Sequence, residues 1–213
     1  MVTSGVELRV SAAILAGGRA SRMGGADKAR LRIGSERILD RQLAALSGVA
    51  DDIRLVGGST RREASGVRVI ADAIPQAGPL GGIYTALLDA RHDRVLVLAC
   101  DLPFVTRDLL SRLATAGDEH DDAVIPRSAR GLEPLCAWYH RRAAGAIRTQ
   151  IEHGALSVHT LVDVLRVREI GPEALAPFAG DEAFENINTP HDYERARRSI
   201  EREMKPMKDR ITE

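Results

Sequence analysis

Rings, thiols and excess charge are all scarce in this chain of 213 residues. Phe, Trp and Tyr make up 3% of it, too few to build the platform of stacked bases that single-strand nucleic-acid binders use. Lys and Arg number 30, as do Asp and Glu, for a formal net charge of zero at pH 7. That balance gives no bulk attraction to nucleic acid or to an anionic membrane. No apolar run approaches the roughly 20 residues a bilayer-spanning helix needs, and no basic leader precedes the first apolar stretch. A cytoplasmic protein with neither nucleic acid nor membrane as partner is therefore expected.

Other absences narrow the chemistry. The two cysteines, Cys100 and Cys136, lack CxxC spacing and sit in the apolar stretches LVLACDLP and EPLCAWY, as buried small hydrophobes in a reducing compartment would. The six histidines form no HExxH or C2H2 pattern, so zinc chemistry is not indicated. No GxSxG elbow and no nucleophile signature around either cysteine points to covalent catalysis. GxGxxG is missing, and GxxxxGK[ST] fails because Ala29 follows Lys28, which disfavours a standard dehydrogenase and a P-loop NTPase.

What is present reads as α/β. Short β-branched runs at 8–15, 53–56, 67–70 and 95–98 alternate with helical patterns at 38–49, 83–92 and 107–117. The runs are continuous rather than alternating, as strands of a parallel sheet covered on both faces should be. The expected architecture is doubly wound with a mostly parallel sheet. Beyond Gly117, 121–140 reads as two strands around a turn at 128–131. Helical segments follow near 142–152 and 158–165, with a further strand ending at Ile170. Thr189-Pro190-His191-Asp192 opens a last helix, with Thr as N-cap, Pro at the first helical position and an acid three residues past the cap. No repeat, low-complexity segment or linker divides the chain. A single domain over 1–213 is expected, with its core at about 6–203 and a frayed tail at 204–213.

In an open parallel sheet, ligands gather outside the carboxyl ends of the strands. Here those ends carry LAGGRASRMGGADK, VGGST, Ala71-Asp72 followed by GPLGG, and ACDLP, a polar rim rich in glycine. Gly17, Gly18, Gly24 and Gly25 permit close backbone approach, and Arg19, Arg22 and Lys28 share their loop. Together they describe a polyphosphate cradle, against the plainer reading of a flexible loop with solvated charges. Asp101 is a natural Mg²⁺ ligand, since magnesium takes one or two protein carboxylates and fills its remaining positions with water and phosphate. A turn aspartate is the alternative. Asp72 carries the same two readings, with a ribose or metal-water contact as the functional one. Cations, amides and one acid without an evident general base suit an acceptor that is already ionised. A phosphomonoester is such a group.

The strings LAGGRASRMGGADK, GPLGG, ACDLP, EPLCAWY and NINTP, in that order, resemble the molybdenum cofactor guanylyltransferase family over about 12–195. The resemblance implies a three-layer, glycosyltransferase-A-like (Rossmann-like) nucleotidyltransferase. Its activity would be transfer of GMP from GTP to the terminal phosphate of molybdenum-molybdopterin, with release of pyrophosphate and with Mg²⁺ as cofactor. It implies nucleotide contacts from Leu15, Ala16, Gly17, Gly18, Lys28, Gly57, Asp72 and Asp101, and metal binding by Asp101. Arg22, Lys28 and Asp101 would form the catalytic set, with Asn186 and Asn188 on the pterin side. Insertion or delivery proteins for molybdenum cofactor are candidate partners. One departure is Gly57-Gly58, where some members carry asparagine and a side-chain contact would be lost. The charged loop 127–133 either closes over a pterin phosphate or is a solvated hairpin tip. The rival readings are a cytidylyltransferase of the same cofactor, a sugar-phosphate nucleotidyltransferase and a non-catalytic nucleotide-binding regulator.

Overall fold

The computed structural model describes residues 9–16, 31–57 and 66–204. Within them the chain runs through β1 (Val10–Leu15), β2 (Arg32–Ile33), β3 (Glu36–Arg37), α1 (Ile38–Leu46), β4 (Asp52–Val56), β5 (Arg68–Ile70), α2 (Gly78–Asp89) and β6 (Arg94–Ala99). It continues with α3 (Arg107–Thr115), β7 (Ala123–Ser128), β8 (Gly131–Leu132), β9 (Cys136–His140), α4 (Ala144–Glu152), β10 (Val167–Ile170), α5 (Pro172–Leu175) and α6 (Pro190–Met204). The expected helix at 158–165 is a short 3₁₀ segment, His159–Asp163. The β2–β3 hairpin, β8 and α5 were not anticipated. Each is too short to carry a period.

Three of the four apolar runs become inner strands β1, β4 and β6 of one sheet and the run at 67–70 becomes its edge strand β5, in the order β10-β7-β9-β6-β1-β4-β5 with β8 added to β7. β5, β4, β1 and β6 are mutually parallel, and β10 is parallel to β7. Only β9 enters this row reversed, antiparallel to β6 on one side and to β7 on the other. The sheet is thus mostly parallel, as expected. From β1 the chain builds outward through β4 and β5, then returns to place β6 on the other side of β1. The switch in strand order lies between β1 and β6, where α/β sheets open a crevice for ligands.

Both faces are covered. Ala12 and Ile14 face a core shared with Leu39 and Leu46 of α1 and Leu109, Leu110 and Leu113 of α3. Ala13 and Leu15 face a second core with Leu80, Ile83 and Leu87 of α2 and Ile147 of α4. That division explains why β1 is buried at every residue and why alternation was absent. A small third cluster joins Ile33 and Ile38 to Ile187, Ala196 and Ile200, seating α6 on the β2–β3 hairpin. At the amino-terminal ends of the strands, Arg54 is 1% exposed and pairs with Asp52 and Asp89, while Ser11 donates to Asp52 at 2.6 Å.

The helix expected at 83–92 begins earlier, at Gly78. GPLGG is therefore not a loop but the first turns of α2. A Cβ on Gly82 would stand 3.3 Å from Leu15 Cδ2, and one on Gly81 would stand 2.8 Å from Ala77 Cβ. These glycines let the helix lie close against the end of β1 and the loop before it.

At α6 the cap is as the sequence indicates. Asp192 Oδ2 accepts from the backbone N–H of Thr189 at 2.9 Å, and Thr189 Oγ1 accepts from the Asp192 N–H at 3.1 Å. This reciprocal pair satisfies donors that a helix start leaves open.

Candidate functional site

Backbone hydrogen bonds continue past the strand ends and draw the candidate residues into one edge. The Ala16 N–H donates to Val56 O at 2.8 Å, the Cys100 N–H to Leu15 O at 3.1 Å, and the Gly57 N–H to Ile70 O at 2.9 Å. Leu15, Ala16 and Gly57 therefore stand in register, with Asp72 just beyond β5 and Asp101 just beyond β6. Gly57 has φ of 73°. That left-handed conformation suits Gly first and Asn next among residues, so glycine there meets the backbone demand that asparagine would also meet. Gly17, Gly18, Arg22 and Lys28, as well as Arg19, Gly24, Gly25 and Gly58, lie outside the described residues.

Asp101 sits in a turn held from two sides. Gln42, on α1, donates through Nε2 to Ala99 O at 2.7 Å and to Leu102 O at 3.0 Å. From the other side, the Ile187 N–H donates to Asp101 O at 3.0 Å. Asn186 and Asn188 flank that contact, so the segment expected on the pterin side lies directly against the residue expected to bind metal. Asn188 is itself fixed, its N–H donating to Asp192 Oδ2 at 3.2 Å. The Thr189 hydroxyl holds the Asp192 carboxyl below the usual carboxylate range.

Asp72 occupies a different environment. Burial raises its carboxyl pKa, because desolvation disfavours the charged form. The next residue, Ala73, donates its N–H to Thr85 Oγ1 at 2.9 Å, and that hydroxyl donates to Gly81 O at 2.7 Å. The loop bearing Asp72 is thereby tied to the first turns of α2, where the tight glycine packing lies.

The charged loop 127–133 is anchored by hydrogen bonds while its tip residues Ala129 and Arg130 stay exposed. Arg127 pairs with Glu169 at 2.7 Å, and Ser128 Oγ donates to Glu133 at 2.6 Å. The Ala129 N–H donates to Asp181 at 3.0 Å, and Arg130 donates to Phe184 O. The tip thus grips the 3₁₀ turn Asp181–Phe184, immediately ahead of Asn186.

Gln42 is the residue that the candidate set missed. Its signal was present: the buried positions of α1 are Ile38, Leu39, Gln42, Ala45 and Leu46, a helical stripe with one amide inside it. A polar residue on an apolar stripe marks a buried hydrogen bond. A cavity of about 360 Å³ is lined, among the described residues, by His191, Glu194, Arg195, Arg198 and Ser199 of α6. None of these belongs to the strand edge. Among the described residues no three His, Cys, Asp or Glu side chains cluster as a metal site, and no helix is long and apolar enough to cross a membrane.

Against known proteins, residues 12–168 match the family model described as MobA-like NTP transferase domain. A molybdenum cofactor guanylyltransferase of Desulfosudis oleivorans is 32% identical over 193 residues, covering 90% of this chain and 96% of that protein. The crystal structure of molybdopterin-guanine dinucleotide biosynthesis protein A from Archaeoglobus fulgidus superposes with a TM-score of 0.76 at 27% identity, covering 90% of this chain and 99% of that one. The 4-diphosphocytidyl-2C-methyl-D-erythritol synthase of Anaerococcus prevotii shares the fold, with a TM-score of 0.67 at 15% identity over 91% of this chain and 98% of that one. The chain belongs to the MobA-like NTP transferase family and is a nucleotidyltransferase.

Proposed function

We propose, from that membership, that this protein transfers GMP from GTP to the terminal phosphate of molybdenum-molybdopterin, releasing pyrophosphate and forming the guanine dinucleotide. One nucleotidyltransferase domain spans the chain in this reading. The observation that carries it is the Ile187–Asp101 hydrogen bond of 3.0 Å. It joins the backbone of the segment bearing Asn186 and Asn188 to the backbone of the turn at the end of β6, which supports a reading in which the proposed acceptor side and nucleotide side adjoin at Asp101.

In this reading Leu15, Ala16, Gly57 and Asp72 line the nucleotide half of the edge, with Gly17, Gly18, Arg22 and Lys28 completing its phosphate cradle. Asn186 and Asn188 orient the pterin. The acceptor phosphate has a second pKa near 6 and is mostly dianionic at neutral pH, so no side chain has to remove a proton from it. The protein's part is to align the acceptor oxygen with the α-phosphorus and to surround both anions with donors and cations. Asp101 is the residue that would hold Mg²⁺, and a site with one carboxylate suits a cation that keeps water and phosphate as its other ligands. When bound, Mg²⁺ would neutralise charge building on the α-phosphate and on the departing pyrophosphate.

The test is a nucleotide panel with purified protein, Mg²⁺ and molybdopterin with and without molybdenum, scored by detection of the dinucleotide. GTP is expected to be the donor. Product of equal yield from CTP removes the base assignment, which the shared fold of a diphosphocytidyl enzyme makes a necessary control. Turnover of a hexose phosphate in place of molybdopterin removes the acceptor assignment. Asp101→Asn is expected to keep nucleotide binding and lose metal-dependent transfer.

A further inference from the structure

Gln42 is 0% exposed, and a single nitrogen of its amide reaches both Ala99 O and Leu102 O, at 2.7 and 3.0 Å. Those carbonyls bracket the turn whose interior is Cys100 and Asp101. We propose that Gln42 is a positioning residue for Asp101, fixing the peptide planes of this turn so that the carboxylate is presented to a metal–nucleotide complex. The inference rests on reading Asp101 as the metal ligand.

Two observations favour positioning over simple packing. Among the described residues Gln42 Oε1 is buried without a hydrogen-bond partner, a cost that an apolar residue on the same stripe would avoid. An amide here carries that cost in order to hold two carbonyls. The amide orientation is also dictated by its partners: turned over, it would set its oxygen against both carbonyls and leave its donors unused. With the Ile187 N–H on Asp101 O, the turn is clamped from α1 on one side and from the Asn186–Asn188 segment on the other. Groups that orient a metal ligand without touching the metal typically change affinity 10–100-fold when removed.

The experiment uses the full chain and Mn²⁺ as a spectroscopic probe, titrated by electron paramagnetic resonance in the presence of GTP and without acceptor. Gln42→Met keeps the size of the side chain and removes the donor. Its Mn²⁺ dissociation constant is expected to rise about tenfold, while the two carbonyls left without their donor lower the thermal midpoint. Adding Gln42→Met to Asp101→Asn is expected to have no further effect on Mn²⁺ binding. Gln42→Glu, which retains shape and, when protonated, one donor, is expected to fall between wild type and Gln42→Met. It serves in its place should that variant not fold. A Mn²⁺ affinity within twofold of wild type overturns the inference, as do additive losses in the double variant. Wild-type protein that binds no Mn²⁺ with GTP also overturns it. Wild-type protein that binds Mn²⁺ but transfers no GMP defeats the functional reading alone, and the titration of Gln42→Met then decides the inference separately.

Discussion

Replacing Gly81 by alanine sets two well-known effects against each other. Alanine in a helix interior is favoured over glycine by roughly 0.5–1 kcal/mol, because glycine loses more backbone freedom on folding. At Gly81, however, the new methyl would stand 2.8 Å from Ala77 Cβ and 3.1 Å from Ile74 O. Neither neighbour is the end of a flexible side chain. Overpacking of this kind costs about 1–3 kcal/mol, so the net expectation is destabilisation by about 1–2 kcal/mol. For a chain of this length, that lowers the thermal midpoint by roughly 2–8 °C. The displacement falls on the loop before α2, which Ala73 and Thr85 tie to Gly81, so Asp72 moves with it and GTP affinity should fall as well. Gly145 is the control. It lies in α4, and a Cβ there meets nothing within 4 Å among the described residues, so Gly145→Ala should be neutral or stabilising by a few tenths of a kcal/mol. Differential scanning fluorimetry and a GTP titration on the two variants decide the matter. A Gly81→Ala protein as stable as Gly145→Ala, with unchanged GTP affinity, would refute the packing argument.

Thr189→Ala removes the N-cap oxygen that accepts from Asp192 and should cost about 1 kcal/mol. Steady-state kinetics should show the KM for molybdopterin rising more over wild type than the KM for GTP, since Asn188 leans on the same cap. Asp122 accepts from Arg166 and Arg142, which hold its carboxyl well below the usual range, the hydrogen bond from Arg166 most strongly. Its stabilising contribution is present above the unfolded value near pH 3.9 and is lost as pH falls below it. Asp122→Asn should therefore lose about 1–2 kcal/mol at neutral pH, a figure reduced for the partly exposed guanidiniums, and unfold with a shallower pH dependence in acid. Asp72 runs the other way. Burial raises its pKa, so the stability linked to its protonation is present below the unfolded value and lost as pH rises through the folded one. Asp72→Asn should be more stable than wild type at pH 7 by thermal unfolding while binding GTP more weakly. A gain in stability with intact binding would leave Asp72 outside the nucleotide site.

Much of the frame could be read from local pattern. β1 and β6 declare themselves as continuous apolar runs because a strand buried on both faces needs apolar residues along its length, and such a requirement is visible within a few residues; β4 and the edge strand β5, with Arg54 and Arg68 inside them, show it more weakly. The start of α6 is legible at Thr189-Pro190-His191-Asp192 for the same reason, since a cap is satisfied by neighbours in the chain. That Asp72 and Asp101 stand just past β5 and β6 was legible because each follows an apolar run within two residues, and a parallel sheet sets such residues at its carboxyl edge whatever the pairing order.

Pairing and packing across the chain were decided elsewhere. That β9 slides between β6 and β7, that Gly82 exists for Leu15, and that Arg130 grips Phe184 O depend on residues far apart in sequence, whose proximity no period encodes. Gln42 shows the boundary most plainly. Its place on a buried stripe was readable from the spacing of Leu39, Ala45 and Leu46. The carbonyls it holds became its partners only when α1 came down on the turn after β6. Burial follows from periodicity because it is a property of one element. Hydrogen-bond partnership follows only from tertiary structure, because it is a property of two.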